Sequence, residues 1–523
     1  MKSASLFVLV RRRKLQDFNK HKQKFPFLFF VGCFLQLSIR INNIELHIFE
    51  NTFQISNVLI LTYIVLATVI QKADACTLPP AMQGKCHCQH STIKCLDLST
   101  IVPQSTQSTY YRLEVKDSDL ALHANSFNNW ILTEVVLDNC NLTDSSFSKD
   151  TFNGLESDLR TVSLANNNIT RLPNALSKFT KLEHLDVSGN PINEHNFDEN
   201  ILRDIGDHLL TFSFGTAIGG KELTKWPTTL KHLQRLQELT LTVGNINIMP
   251  SRAFHGYEGT LLRLTIAHTN LRSMPLAIST LRYLQELHFD HNTHVGDYGV
   301  RVPLLRGFLL YLNQLSLKDD NITTFPEVLK SFDRLEIVNM DENNMKFVSD
   351  KSAMAVTQIS SLSLQNSGIT RVPGAIQDIT LLNVLDLSNN SIHAIETHDF
   401  RESSQLLTMK LDNNPILYIS NQALSGLINL RKLEMRNVLL KRVPCAIEAM
   451  IRNHHSGFIL INLSENKLEC NCGLKWLYDL KNDIKNQSKS FKLIGNCDTI
   501  NSSIDDYIDK QLHVCPPGVA CSD

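Results

Sequence analysis

From about residue 110 to residue 468 the chain repeats one short phrase of apolar and polar positions, clearest at residues 382–392, LNVLDLSNNSI. There Leu385 and Leu387 alternate with Asp386, Asn390 follows three positions later, and Ile392 two beyond that. Alternation with period two predicts a short strand whose apolar side chains face a core and whose middle residue faces outward. The first apolar residue of each such pair gives fifteen anchors: Leu113, Val135, Val162, Leu185, Phe212, Leu239, Leu264, Leu287, Leu315, Val338, Leu362, Leu385, Met409, Leu433 and Ile461. They recur about every 25 residues, and a helical period of 3.6 does not account for an Asn at a fixed offset.

Seven of the fifteen offsets hold Asn: Asn167, Asn190, Asn292, Asn343, Asn390, Asn414 and Asn466. An amide both donates and accepts, so each can satisfy backbone groups of its own and a neighbouring turn. Ser118, Cys140, Thr269, Asp320 and Ser367 replace it in part, whereas Ala217, Gly244 and Val438 cannot, which marks residues 205–245 as the least regular stretch. The return segments fall into two kinds. Pro173, Pro227, Pro275, Pro326, Pro373 and Pro444 stand shortly after some strands, and others place a Phe on the return, such as Phe254 or Phe400. From Val162 to Leu362 the kinds alternate, which reads as a duplicated two-repeat unit of about 50 residues. The period and the L-x-L-x-x-N-x-L phrase are those of a leucine-rich repeat. The expected fold is an α/β solenoid with a curved parallel sheet on its concave face, an irregular or short-helical convex side, and sealed ends.

Composition refines this picture at the ends. The chain carries 51 Lys/Arg and 52 Asp/Glu, but residues 1–75 hold ten of the bases and only four of the acids. The body is therefore acidic, which excludes nucleic acid as an expected partner. Residues 58–70, VLILTYIVLATVI, followed by Ala73-Asp-Ala75, fit a signal-peptide core with its cleavage site, with an uncleaved membrane anchor as the alternative. Residues 1–75 are read as a leader, with the signal or anchor at 58–75. Eight of the twelve cysteines cluster at the ends of the repeats, four in 76–95 and four in 470–515, and suit disulfide caps made in an oxidising compartment.

The C-terminal cluster reads Asn466-Lys-Leu468-Glu-Cys470-Asn-Cys472-Gly-Leu474-Lys-Trp476-Leu477, then Cys497 and Cys515. It resembles the C-terminal flanking domain of extracellular leucine-rich-repeat proteins, with the layout of Slit modules and Toll-type ectodomains. The C-x-C-x6-C run through Cys86, Cys88 and Cys95 resembles the N-terminal flanking domain. The resemblance implies the pairs Cys76–Cys88, Cys86–Cys95, Cys470–Cys497 and Cys472–Cys515, with Trp476 and Leu477 covering the last repeat. The chain thus divides into an N-terminal cap at 76–109, about fifteen repeats at 110–468, a C-terminal cap at 469–517 and a tail at 518–523. Cys521 could pair with Cys445 or link to a second chain as a dimer. Seven N-x-[ST] sequons, at Asn141, Asn168, Asn321, Asn389, Asn462, Asn486 and Asn501, fit a glycosylated extracellular product.

Candidate chemistry adds little. The run 215–222 approaches a phosphate-binding loop, but Glu222 stands where Ser or Thr must reach Mg²⁺. Cys86, Cys88 and His90 have zinc-compatible types, yet the neighbouring cysteines favour disulfides. No catalytic elbow appears and no cofactor or metal is implied, so the expectation is a non-enzyme. Binding is expected on the concave face, at His288, Asp290, Ser316, Lys318, Asn339, Asp341, Asp386, Lys410, Asp412, Glu434 and Arg436. Acidic residues, with Asp319, Asp320 and Glu342, dominate its centre; Lys410, Lys432 and Arg436 make the far end basic. The reading is a secreted binder of an extracellular or cell-surface protein. The alternatives are a receptor or adhesion ectodomain tethered to the plasma membrane through the leader, and a non-catalytic subunit of a secreted enzyme complex.

Overall fold

The computed structural model describes residues 35–41, 44–50, 78–104, 110–300, 309–346, 358–455, 457–498, 500, 502–516 and 520–521. It divides into two compact units, residues 1–77 with 88–90, and the remainder. The first unit contains an antiparallel strand pair, Leu35–Ile41 with Ile44–Glu50. A leader reading does not anticipate it, although Leu35, Leu37, Ile39 and Ile41 carry the period-two signature of a strand. The apolar run 58–70 and Cys76 lie outside the described residues. Among the described residues no helix is long and apolar enough to cross a membrane.

The second unit is a leucine-rich-repeat solenoid. All fifteen anchors fall in one row of a parallel sheet, from Leu113 opposite Val135 to Leu433 opposite Ile461. A slip of one residue would turn each apolar pair out to solvent, so the core fixes this register. Each anchor is buried to within 2% of full exclusion. The row extends into both ends, where Ile93 lies opposite Leu113 and Leu493 opposite Ile461. Neighbouring strands sit about 4.8 Å apart, and the bulkier return segments take more room, which curves the sheet inward.

The two kinds of return have different structures. Pro173, Pro227, Pro275, Pro326 and Pro373 each cap a five-residue 3-10 helix: Asn174–Lys178, Thr228–His232, Leu276–Thr280, Glu327–Ser331 and Gly374–Asp378. Their φ values of −63° to −69° are those the proline ring imposes. Phe254 and Phe400, on returns of the other kind, are fully buried. Another return of that kind instead forms an α-helix, Glu199–Gly206, capped by the Asp198 side chain.

The Asn positions form a buried ladder. In Asn343, Oδ1 accepts from Asp320 N and Ile322 N of the preceding repeat (3.1 and 2.9 Å). Its Nδ2 donates to Leu317 O of that repeat and to Met340 O of its own (2.7 and 2.9 Å). Asn167, Asn390 and Asn466 repeat this pattern in full, and Asn190, Asn292 and Asn414 most of it. Two of the substitutes keep a donor in the amide corner. Cys140 Sγ donates to Val115 O and Asp138 O at 3.4 and 3.3 Å, and Ser367 Oγ to Met340 O and Gln365 O at 3.2 and 3.1 Å. Around the lapses at Ala217 and Gly244, an aromatic cluster fills the core instead. Phe197, Phe212, Phe214, Trp226, Phe254 and Tyr257 run in edge and stacked contact with centroids 5.5–6.3 Å apart.

Disulfides close the ends. Cys470–Cys497 and Cys472–Cys515 tie the C-terminal cap, whose buried Trp476 and Leu477 lie on the helix Lys475–Ile484. At the other end Cys86 pairs with Cys95, and Cys88 is disulfide-bonded as well. These thiols are spent, which removes the zinc reading. Cys521 pairs with Cys445 at the start of the helix Ala446–Asn453. The link left open in the sequence is therefore made within the chain, and Cys521 does not support a disulfide dimer.

Two outcomes follow from the ladder. Asn414→Ala strands several buried backbone groups at about 1–3 kcal/mol each; it is expected to lower the melting temperature and to speed amide exchange around residues 387–416. Burial pushes the Cys140 thiol up to about 12. It is expected to resist alkylation in the folded protein and to react only after denaturation, read by mass spectrometry.

Candidate functional site

The sheet presents its middle-strand residues and those just after each strand along the concave face. The structure brings the expected residues into one lateral array, but assigns many of them to holding repeats together. Asp290 Oδ1 accepts from Ser316 Oγ and Lys318 N of the next repeat at 2.6 and 2.9 Å. Asp341 does the same with Ser363 Oγ and Gln365 N at 2.6 and 2.7 Å. Asp138 repeats the pattern with Ser163 Oγ and Ala165 N. Asp412 accepts from Arg436 N at 2.7 Å and from its guanidinium at 3.1 and 2.9 Å. A carboxylate three positions after an anchor thus braces one turn to the next.

The middle-strand polar residues serve in another way. Asp386 accepts from Ser388 N and Asn339 from Asp341 N, at 3.0 and 2.9 Å, each folding back on its own strand end. Ser316 is buried under the Asp290 bond. Glu434 accepts from Asn462 Nδ2 at 2.7 Å. Burial raises the Asp341 carboxyl despite the bonds from Ser363 and Gln365, and raises Asp186 despite Ser188.

Exposure separates the charges. Lys410 over Asp386, Lys432 over Glu434 and Arg436 over Asp412 have side chains 40, 45 and 48% exposed, against 6, 10 and 7% for the acids. The hydrogen bond that Lys410 donates to Asp386 holds it above the usual lysine range, and the bonds that Arg436 donates to Asp412 do the same for Arg436. From repeat 385 to repeat 433 a ligand would meet cations seated on buried carboxylates. Further along, Lys318 pairs with Glu342 at 3.1 Å, and His288 stands 4.0 and 3.9 Å from Glu286 and Asp290. At the first strands Glu114 gathers Lys116, Lys94 and Arg112; burial pushes its carboxyl up, and the three cations outweigh that and hold it below the usual range.

A column that sequence reasoning missed lies one position before the Asn ladder. Its residues take positive φ, among them Asn139, Asn166, His268, His291, Asp319, Asn389, Asn413 and Asn437, at 48–58°. Asn, Asp and His tolerate this left-handed conformation best after Gly. The column is linked sideways, Asn413 donating to Asn389 and Asn437 to Asn413 at 2.7 and 3.0 Å. His268 and His291 stack with centroids 4.4 Å apart, and His291 Nδ1 meets Asp319 Oδ2 at 3.0 Å. The doubled asparagines at 166–167, 389–390 and 413–414 carried this signal: the first of each pair makes the turn and the second fills the ladder.

Asn141, Asn168, Asn321, Asn389 and Asn486 are exposed, and Asn501 lies outside the described residues. Asn462 is only half-exposed; its Nδ2 is engaged by Glu434 and its Oδ1 accepts from Ser464 N and Oγ at 3.1 and 2.7 Å. Gly215 and Gly219, in the loop resembling a phosphate-binding one, have positive φ, and the next helix starts only at Thr228, so the loop does not lead directly into a helix N-terminus. Among the described residues no group of three metal-ligating side chains converges.

A family model described as leucine-rich repeat matches residues 132–192 and 380–440. No curated protein matches the sequence significantly. Among solved structures, the chain is similar to one of the Toll–Spatzle complex of Drosophila (14% identity, 77% of this chain and 69% of that one, TM-score 0.48). It is similar to a leucine-rich-repeat protein of Leptospira interrogans (19%, 73% and 95%, TM-score 0.48). A third is a chain of the TLR13–ssRNA13 complex (16%, 76% and 74%, TM-score 0.48). The matched repeats, the fifteen anchors in one register and the disulfides at both ends together give a leucine-rich-repeat fold with disulfide-bonded ends.

Proposed function

We propose that the protein is a secreted, glycosylated, non-enzymatic binder that holds an extracellular protein on its concave face. The observation that carries the reading is the row of exposed Lys410, Lys432 and Arg436 over buried acids. Each cation is oriented by a fixed carboxylate beneath it, which lowers the entropic cost of presenting it to a partner. The array suits an acidic or hydrogen-bond-accepting protein surface. The disulfide caps fit an oxidising compartment, and the exposed sequon asparagines are compatible with glycans. The proposed binding residues are the eleven expected from the sequence together with Lys432, with Ser316, Asp386, Asp412 and Glu434 supporting their neighbours from below.

A tethered receptor or adhesion ectodomain is the second reading, motivated by the apolar run at 58–70. Expression of the full chain in secretion-competent animal cells separates the two. The expected product in the medium starts near Cys76 and carries glycans at Asn141, Asn168, Asn321, Asn389 and Asn486, with Asn462 unmodified, as read by N-terminal sequencing and glycopeptide mass spectrometry. Retention on membranes with residues 58–70 intact would instead establish the tethered form.

A further inference from the structure

One rung of the polar ladder departs from the rest in its chemistry. Asp320 occupies the Asn position of the repeat anchored at Leu315 and is fully buried. Its Oδ1 does what an amide oxygen does, accepting from Asn292 N at 2.8 Å. Its Oδ2 sits in the corner that Asn Nδ2, Cys140 Sγ or Ser367 Oγ fills with a donor, and it is buried without a hydrogen-bond partner among the described residues. A carboxylate has no hydrogen to donate, whereas a protonated carboxyl has one. An unpaired charge in that corner would also bear the full cost of burial.

Among the described residues no cation is paired with such a charge. On its own turn, Lys318 is paired with Glu342 at 3.1 Å, and Asp319 is engaged by His291 at 3.0 Å. From the preceding repeat Asp290 faces Asp320 as a like charge, His288 leans toward Glu286 and Asp290, and His294 is exposed. His268, one repeat further back, stacks on His291. From the next repeat come Asp341, bonded to Ser363 and Gln365, and Glu342. On the return helix Gly296–Val300, Asp297 is bonded to Thr323.

We propose that Asp320 carries a proton as part of the native fold, its neutral carboxyl filling the amide corner of the ladder, and that loss of this proton loosens the turn bearing His288, Asp290 and His291. Burial, with Asp290 and Asp319 adding to it, pushes its carboxyl up to about 8, while the Asn292 bonds oppose the rise. The stabilisation is therefore complete below the unfolded value near 3.8 and drains away as pH rises toward about 8. His268 is held below its ordinary value by burial and by His291, so its protonation opposes the fold from the acid side. The turn is thus favoured in a mildly acidic window. The proposal does not depend on whether the concave face binds a protein.

The test compares the full secreted chain with Asp320→Asn, which installs the residue found at seven other rungs. The variant is expected to be secreted normally and to melt higher, with a gain that is small near pH 4.5 and widens to several degrees by pH 8. An infrared difference spectrum at pH 6.5 is expected to show a protonated carboxyl in the wild type alone, converting to carboxylate as pH passes about 8. A gain that does not vary with pH, failure of the variant to fold, or a carboxylate band already present at pH 6.5 would each overturn the proposal.

Discussion

This solenoid depends on placing a hydrogen-bond donor in one buried corner of most of its turns. Parallel strands stacked in register leave the carbonyls after each strand without ladder partners, and the chain must turn there before it can return. An unpaired buried carbonyl costs about 1–3 kcal/mol, repeated at every rung. The Asn amide meets that demand in two repeats at once, joining Asn343 to Leu317 and Asp320 of the turn before it. Neighbouring repeats are thereby coupled by polar contacts as well as by the leucine core, in keeping with a body whose stability is a sum of nearest-neighbour terms. Where the amide is absent, a hydroxyl, a thiol or packed aromatic rings takes over.

The same demand explains why a charged concave face is compatible with a rigid sheet. Asp138, Asp290, Asp341 and Asp412 are acids by composition but bracing groups by geometry, each accepting from the next turn. Arg436 over Asp412, Lys410 over Asp386 and Lys432 over Glu434 gain a fixed base in the same way. A face built in this way presents preorganised Lys410, Lys432 and Arg436 instead of freely rotating surface chains.

The repeat phrase made much of the fold legible from sequence, because period-two burial and a fixed Asn offset are local consequences of the same turn. The anchors and the alternating proline returns were readable for that reason, and the C-terminal cap pairs through the resemblance carried by the cysteine spacing. The Asp braces were not, because they join residues 22 to 28 positions apart whose pairing depends on register. The left-handed column was hidden for another cause: Asn, Asp and His serve there for backbone conformation, and residue type alone does not separate that role from solvation. The pairing of Cys521 with Cys445 also needed three dimensions, since Cys445 lies within the last repeats and not in either cluster. The strand pair at Leu35–Ile41 and Ile44–Glu50 went unread because a leader assignment removes a segment from fold reasoning altogether.

The central claim is that the concave face is where a partner lies. Gln314→Asn and Ser361→Asn each create a sequon with the existing Ser316 or Ser363 on the strands Gln314–Ser316 and Ser361–Ser363. A glycan at either site would stand on the face while leaving the braces and ladder in place. The decisive measurement is binding of these glycan-bearing proteins to cells or matrix that retain the wild type. Loss of binding with secretion and melting temperature preserved is the predicted result. Undiminished binding with the glycans confirmed in place would contradict the account and move the search to the convex side or the caps.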